Sequence, residues 1–191
     1  MSIKYLTQPE LKRFFAGIDI PRDRALFGMI YHYGLRVTEA TLVKPSDLDF
    51  SRKTIHIYRL KGGNGGVKPL PPSITRLLEE YLMAREPTGD ALFTGKRGSL
   101  GRHRIGQLFK RYTTKAGLSG FSVHCLRHSI ATHMLEAGFE LEVVKNHLGH
   151  KNIQSTLIYA QITDKRLVKV FHQMEKSSSI VKVLSTERSV E

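Results

Sequence analysis

Helical spacing governs most of this sequence and gives way over residues 47–70. There Thr54, Ile55, His56, Ile57 and Tyr58 alternate and are β-branched or aromatic at most positions, the pattern of a half-buried strand. The run Gly62-Gly63-Asn64-Gly65-Gly66 supplies a hairpin tip, and residues 67–70 return before Pro71 and Pro72 end the pairing. Strands can therefore contribute a small antiparallel sheet, and helices must supply the rest.

Thr7, with Glu10 three residues later, is a capping box opening a helix whose Leu11, Phe14 and Phe15 lie on the buried side. Further helices are predicted over 22–33, ending at Gly34, and over 38–43, after a turn that holds Arg36. Ile74, Leu77, Leu78 and Tyr81 recur at helical spacing within 73–85, and another helix covers 102–116, ended by Gly117. Residues 124–137 form a helix with Leu126, Ile130 and Ala137 on the core side and His124, Arg127 and His128 on the other. Gly138 closes it, 141–148 is the next helix, Gly149 caps that one, and His150 falls in the turn beyond. Asn152 opens a helix in which Ile153, Leu157 and Ala160 make the apolar stripe and Tyr159 falls away from it. An amphipathic helix follows at 164–175, and Ser177-Ser178-Ser179 is the linker-like break. The expected fold class is mainly α with a small antiparallel β-sheet (α+β), as one domain over 1–176 and a tail over 177–191.

Lys and Arg number 30 against 17 Asp and Glu, a formal net charge of +13 that makes nucleic acid the first partner to consider. No stretch approaches the apolar run that a bilayer span needs, and the start of the chain has no apolar targeting core, so a cytoplasmic protein is expected. Cys125 is the single cysteine, which excludes an intramolecular disulfide and fits a reducing compartment. It reads as a small buried hydrophobe rather than a nucleophile.

Chemistry concentrates in the string His124-Cys125-Leu126-Arg127-His128, then Leu148-Gly149-His150, then Tyr159, with Gly34-Leu35-Arg36 far upstream. A phosphodiester repels nucleophiles and leaves a poor alkoxide, so its cleavage needs cationic donors, a nucleophile and an acid. Two guanidiniums, imidazoles and a phenol meet that requirement; Arg127, near the start of its helix, sits where the dipole favours an anion. Histidines four apart at His124 and His128, with His133, His147 and His150 nearby, also raise a zinc reading. Arg127 in their midst and the lack of a neighbouring acidic ligand or cysteine pair speak against it.

The blocks Gly34 to Glu39, Lys61-Gly62 with Pro69-Leu70, His124 to His128, and His150 to Tyr159 resemble, in this order and register, the tyrosine recombinases. That family includes phage integrases, Xer-type resolvases and fimbrial phase-switch recombinases, and the resemblance runs over about residues 5–175. It implies the tyrosine recombinase catalytic-domain fold, with Arg36 and Arg127 on the phosphate, His124 and His150 donating hydrogen bonds to it, and Tyr159 as nucleophile. Lys61 becomes the general acid for the departing 5′ oxygen, with Lys68 in reserve because the tip is glycine-rich where the family often carries basic residues. Glu39 supports Arg36 or caps its helix; His128 orients a neighbour, accepts the Tyr159 proton, or is a plain surface or core histidine.

The implied activity is site-specific recombination through a 3′-phosphotyrosyl intermediate on double-stranded DNA. No metal or nucleotide cofactor is implied, and four protomers, a homo-oligomer, would join two duplexes. The tail is expected to dock in trans on the next protomer, its alternative being a disordered end. The alternatives are a DNA-binding accessory protein that keeps the fold without exchanging strands and a related enzyme that only relaxes or resolves DNA, as type IB topoisomerases do with similar chemistry; the intact set of Arg36, Lys61, His124, Arg127, His150 and Tyr159 argues against the first. Family members generally carry a DNA-clamping domain before a segment like Tyr5-Leu6-Thr7, so a chain beginning there is expected to bind one site weakly.

Overall fold

A computed structural model of the chain describes residues 3–60, 62–86, 89–95 and 98–160. The expectations for Lys61, for the amphipathic segment at 164–175 and for the tail at 177–191 lie outside the described residues. Helices α1 (Gln8–Ala16), α2 (Pro21–His32) and α3 (Val37–Leu42) lead, through a 3-10 turn at Pro45–Asp47, into a sheet of β1 (Leu48–Asp49), β2 (Thr54–Ile57) and β3 (Gly66–Pro69). Helix α4 (Pro72–Met83) follows, then a strand pair β4 (Thr94–Gly95) and β5 (Gly98–Ser99), and then α5 (Arg102–Lys115), α6 (His124–Glu136), α7 (Leu141–Leu148) and α8 (Gln154–Ala160). The architecture is mainly helical with small antiparallel sheets.

The main core forms where the apolar faces of α1, α2, α4 and α5 meet. Phe14, Phe27, Phe109 and Tyr112 make an aromatic cluster there, edge-on except for the tilted pair Phe14–Phe109, with centroids of contacting rings between 5.1 and 6.2 Å apart. The buried Asp23 is held by Arg22 at 2.7 Å and accepts the Tyr112 hydroxyl proton at 2.7 Å, so its charge is compensated. Thr7 caps α1 through Glu10, whose carboxylate accepts both the Thr7 amide and hydroxyl at 2.8 Å. Ser129 of α6 accepts the Leu6 amide at 2.8 Å and so ties the leading segment to that helix.

The first sheet has the order β1-β2-β3, antiparallel throughout, with Ile55 opposite Lys68 and Ile57 opposite Gly66. Ile55 and Ile57 point into the core at 1% exposure each, which directs the same face of the chain, two residues on, inward as well. The pair β4–β5 is an addition to the single sheet expected from sequence; two-residue strands are too short to show a period.

Two expectations are overturned. Helix α6 does not divide into a core side and a chemical side: Cys125, Leu126, Arg127, Ser129, Ala131, Thr132, His133 and Leu135 are all buried, because α2, α7 and α8 pack around it, while Ala137 is exposed. In α8 the polarity is inverted. Ile153, Leu157 and Ile158 are exposed at 36%, 37% and 44%, whereas Thr156 and Tyr159 are buried at 0% and 2%. The helix turns its hydrogen-bonding residues toward His128 of α6 and His150 in the turn after α7, and Tyr159 joins Ala131, Leu135, Val144 and Leu148 in a second, smaller core.

Candidate active site

The site begins at the end of α2. Gly34 adopts φ +57°, and a Cβ there would come within 2.6 Å of the Leu148 side chain, so glycine alone permits both the left-handed turn and the approach of α7. The turn delivers Arg36 to the start of α3, where Glu39 reaches back to accept the Arg36 amide at 2.9 Å and its guanidinium at 2.6 Å. The same carboxylate accepts Arg59 at 2.9 Å and the Leu60 amide at 3.1 Å. Burial pushes the Glu39 pKa up, but the hydrogen bonds from Arg36 and Arg59 outweigh it and hold the carboxyl below its ordinary value. Arg36 keeps about a quarter of its side chain exposed, at 27%, and its guanidinium has more donors than the one that Glu39 takes among the described residues.

Arg127 lies on the first turn of α6 and is buried. It donates to the Gly34 carbonyl and, at 3.1 Å, to the Leu148 carbonyl at the end of α7, where the negative end of a helix favours a cation. Burial, then the charges of Arg36 and Arg59, press its pKa down to about 10, so it stays protonated at neutral pH.

Gly149, at φ +68°, ends α7 in the left-handed conformation and throws the chain into the turn that carries His150. His150 Nδ1 shares a 2.9 Å hydrogen bond with the Thr156 hydroxyl, which is fully buried on α8. Burial and the three arginines lower the His150 pKa to about 4, leaving a neutral ring. Three residues after Thr156, on the same face, Tyr159 shares a 2.8 Å hydrogen bond with His128 Nδ1. Burial raises the phenol pKa, against the pull of Arg127 and Arg36; burial, then His124 and Arg127, lower that of His128. At neutral pH both are uncharged, and with His128 protonated at Nε2 its Nδ1 accepts the phenol proton. His124, at the start of α6, remains accessible, and desolvation followed by the charges of Arg127 and Arg36 lowers its pKa.

The structure thus brings Arg36, Arg127, His124, His128, His150 and Tyr159 into one charged neighbourhood, with Glu39 behind Arg36. Lys68 is half-buried on β3, opposite Ile55, and its charge is felt at His147. Lys61 lies outside the described residues. Cys125 is buried with its thiol pKa pushed up to about 12, in keeping with an inert core residue. His133 bonds the Tyr31 hydroxyl and His147 Nε2 donates to the His32 carbonyl; among the described residues no three metal-ligating side chains converge.

Two participants escape a reading of the sequence alone. Arg59 is nearly sealed, at 1% side-chain exposure, and touches Glu39, Tyr33, Gly34 and His147. Its signal was the strand alternation: Arg59 continues the inward series Ile55, Ile57, and a charge at a buried register position calls for partners. Thr156 had only its i, i+3 relation to Tyr159.

Residues 4–166 match the phage integrase family. The tyrosine recombinase XerA of Pyrococcus horikoshii is 35% identical over 168 residues, which are 86% of this chain and 59% of that one. The tyrosine recombinase XerC of Corynebacterium glutamicum is 35% identical over 156 residues, 80% of this chain and 50% of that one. The chain therefore spans between half and three-fifths of these relatives. A crystal structure of XerA recombinase superposes with a TM-score of 0.79 at 26% identity, covering 91% of this chain and 65% of that one. XerH site-specific recombinase bound to its difH substrate in a pre-cleavage complex gives 0.72 at 27% identity, over 83% and 50%. With a half-buried Arg36, a buried Arg127, three histidines and a tyrosine converging in that same fold, the chain belongs to the phage integrase family and has the fold of a tyrosine recombinase catalytic domain.

Proposed function

We propose that this chain is a site-specific recombinase that cuts and rejoins double-stranded DNA through a 3′-phosphotyrosyl intermediate. The observation that carries the reading is the Tyr159 hydroxyl bonded to a neutral imidazole within the field of two arginines. Arg36 and Arg127 bind the nonbridging oxygens of the scissile phosphate, and their fixed charge stabilises what accumulates there in the transition state. Tyr159 Oη attacks phosphorus as its proton passes to His128 Nδ1. The bond to the 5′ oxygen breaks, that oxygen takes a proton from Lys61, and a free 5′ hydroxyl is left. Accessible His124 and the ring of His150, oriented by Thr156, donate hydrogen bonds to the phosphate. In the reverse step a 5′ hydroxyl of the partner strand attacks the phosphotyrosine, and Tyr159 leaves and recovers its proton. The covalent link conserves the bond energy, so this sequence of steps needs no nucleotide cofactor.

The exposed face of α5, with Arg102, Arg104, Lys110, Arg111 and Lys115, supports DNA as the partner. A groove of about 650 Å³ runs from Arg102 and Lys110 to His124 and so joins this face to the site. On the same reading four protomers assemble on two duplexes in the cytoplasm, and the tail at 177–191 docks on a neighbour. Neither a non-catalytic accessory role nor a relaxing enzyme is favoured, since the relatives are recombinases and the chemistry is intact. The test uses a nicked duplex that traps the covalent adduct on a denaturing gel. Tyr159→Phe is expected to abolish the adduct while leaving noncovalent binding within about 3-fold, because only the nucleophilic oxygen is removed. An adduct that survives this substitution would place the nucleophile elsewhere.

A further inference from the structure

We infer that Arg59 is a positioning residue that ties the turn before Arg36 to the turn that carries His150, so that arginine and histidine meet the phosphate as one preformed clamp; the inference rests on the recombinase reading above. Its guanidinium donates to the carbonyls of Tyr33 at 2.6 Å and Gly34 at 3.2 Å, which close α2 and open the turn to Arg36. It donates to Glu39 at 2.9 Å, and the other oxygen of that carboxylate holds the Arg36 guanidinium at 2.6 Å. Its last bond, at 2.9 Å, goes to the carbonyl of His147, in the final turn of α7 before His150.

Arg59 cannot reach a phosphate itself: its side chain is 1% exposed, and both terminal nitrogens are spent on protein acceptors. Arg127 spans the same gap, from the Gly34 carbonyl to that of Leu148, the neighbour of His147. A guanidinium that turns donors toward a phosphate loosens its hold on carbonyls. A second brace, buried beyond the ligand's reach, keeps the two turns in place while Arg127 binds. Two adjoining arginines thus divide the work into ligand and brace.

The seat is shaped for this side chain. Gly149, the left-handed cap of α7, leaves room for its stem, since a Cβ there would lie 3.0 Å from both Cγ and Nε of Arg59. A Cβ on Gly63 would come within 3.1 Å of Arg59 Cβ. Folding alone does not call for a guanidinium here. Glu39 bonds both Arg36 and Arg59, Arg127 bonds only carbonyls among the described residues, and Arg59 Nε is buried with no partner among them. An apolar side chain of similar volume often replaces a buried ion pair at no loss. What an apolar residue cannot do is join two turns by directed bonds.

The test is a set of double-mutant cycles on the full chain, read as single-turnover cleavage of a nicked duplex. Arg59→Met fills the volume and removes the bonds, whereas Arg59→Lys keeps the charge but not the fork. Both are expected to bind DNA within about 3-fold of wild type and to cleave about 100-fold more slowly, the effect of misplacing a reacting group by about 1 Å. A brace acts only through the groups it places. In an Arg36→Ala or a His150→Ala background either variant should therefore cost about 10-fold or less, while in a His128→Ala background, which leaves the clamp intact, the loss should again be about 100-fold. Equal losses in all three backgrounds, no loss from either variant alone, or failure of both to fold would make Arg59 a residue of the scaffold and overturn its positioning role. A loss that shrinks in only one of the Arg36 and His150 backgrounds would confine Arg59 to that turn and overturn the coupling. A wild-type chain that forms no adduct would instead overturn the recombinase reading.

Discussion

Among the histidines, His128 and His150 differ in what they can do because their hydrogen-bond partners differ. His128 faces a phenol, His150 a threonine hydroxyl. On the proposed reading, attack by a Tyr159 whose pKa is raised by burial needs a proton acceptor at neutral pH, and a neutral His128 within hydrogen-bond reach is the candidate. Single-turnover cleavage should therefore decline as pH falls through the His128 pKa, which lies below 6.5, because protonation removes the lone pair. His128→Ala should lose about 10²-fold in rate and this acid limb with it; an unchanged pH profile would assign the proton elsewhere. Thr156 acts on the other ring. When its hydroxyl donates to His150 Nδ1, the Nε2 proton is left for the phosphate, and Thr156→Val should slow cleavage by about 5- to 30-fold, the loss of one hydrogen bond of about 1–2 kcal/mol. Thr156→Ser keeps the hydroxyl and should stay near wild type, whereas equal losses in the two variants would point to packing instead.

At the level of elements, the helices with strong apolar periodicity were legible from sequence, as were the glycines that end them, since Gly34, Gly117, Gly138 and Gly149 all take positive φ. Helix α8 was not legible, because a burial rule ranks Ile153 and Leu157 above Thr156 and Tyr159, and here specific hydrogen bonds decide the face. Order along the chain singled out Arg36, His124, Arg127, His128, His150 and Tyr159 as candidates that the fold brings near one another, while Arg59 required the register of β2 to be extended past its end. The contact between α7 and α2 carries its own pH dependence. Burial lowers the His147 pKa from 6.5 to about 4, so the unfolded chain binds a proton more readily than the native one between those values. The stability that neutral His147 contributes is fully present above pH 6.5 and is lost as pH falls toward about 4. His147→Gln keeps a donor for the His32 carbonyl but cannot titrate. Thermal midpoints from pH 7 to pH 4.5 should fall less steeply in the variant than in the wild type, and parallel slopes would remove His147 as a source of acid sensitivity.

For the molecule as a whole, the net charge of +13 bears on affinity rather than on fold. A domain that meets DNA through lysines and arginines releases one condensed counterion for nearly every phosphate it neutralises, so its binding constant falls as a power of salt concentration. Six phosphate contacts would weaken binding by about 10³ between 50 and 200 mM salt. The polar face of α5 contains several of the candidate contacts, and Lys110 and Arg111 lie on it away from the buried residues Ile105, Leu108 and Phe109. Replacing both with Gln should reduce the slope of log K against log salt by about 2 and leave the cleavage rate of the bound complex unchanged, since neither touches Tyr159 or its partners. Measuring affinity by fluorescence anisotropy across the salt range separates the two quantities. An unaltered slope would show that α5 faces away from the duplex, and an altered cleavage rate would show that this face also sets how the scissile phosphate is seated.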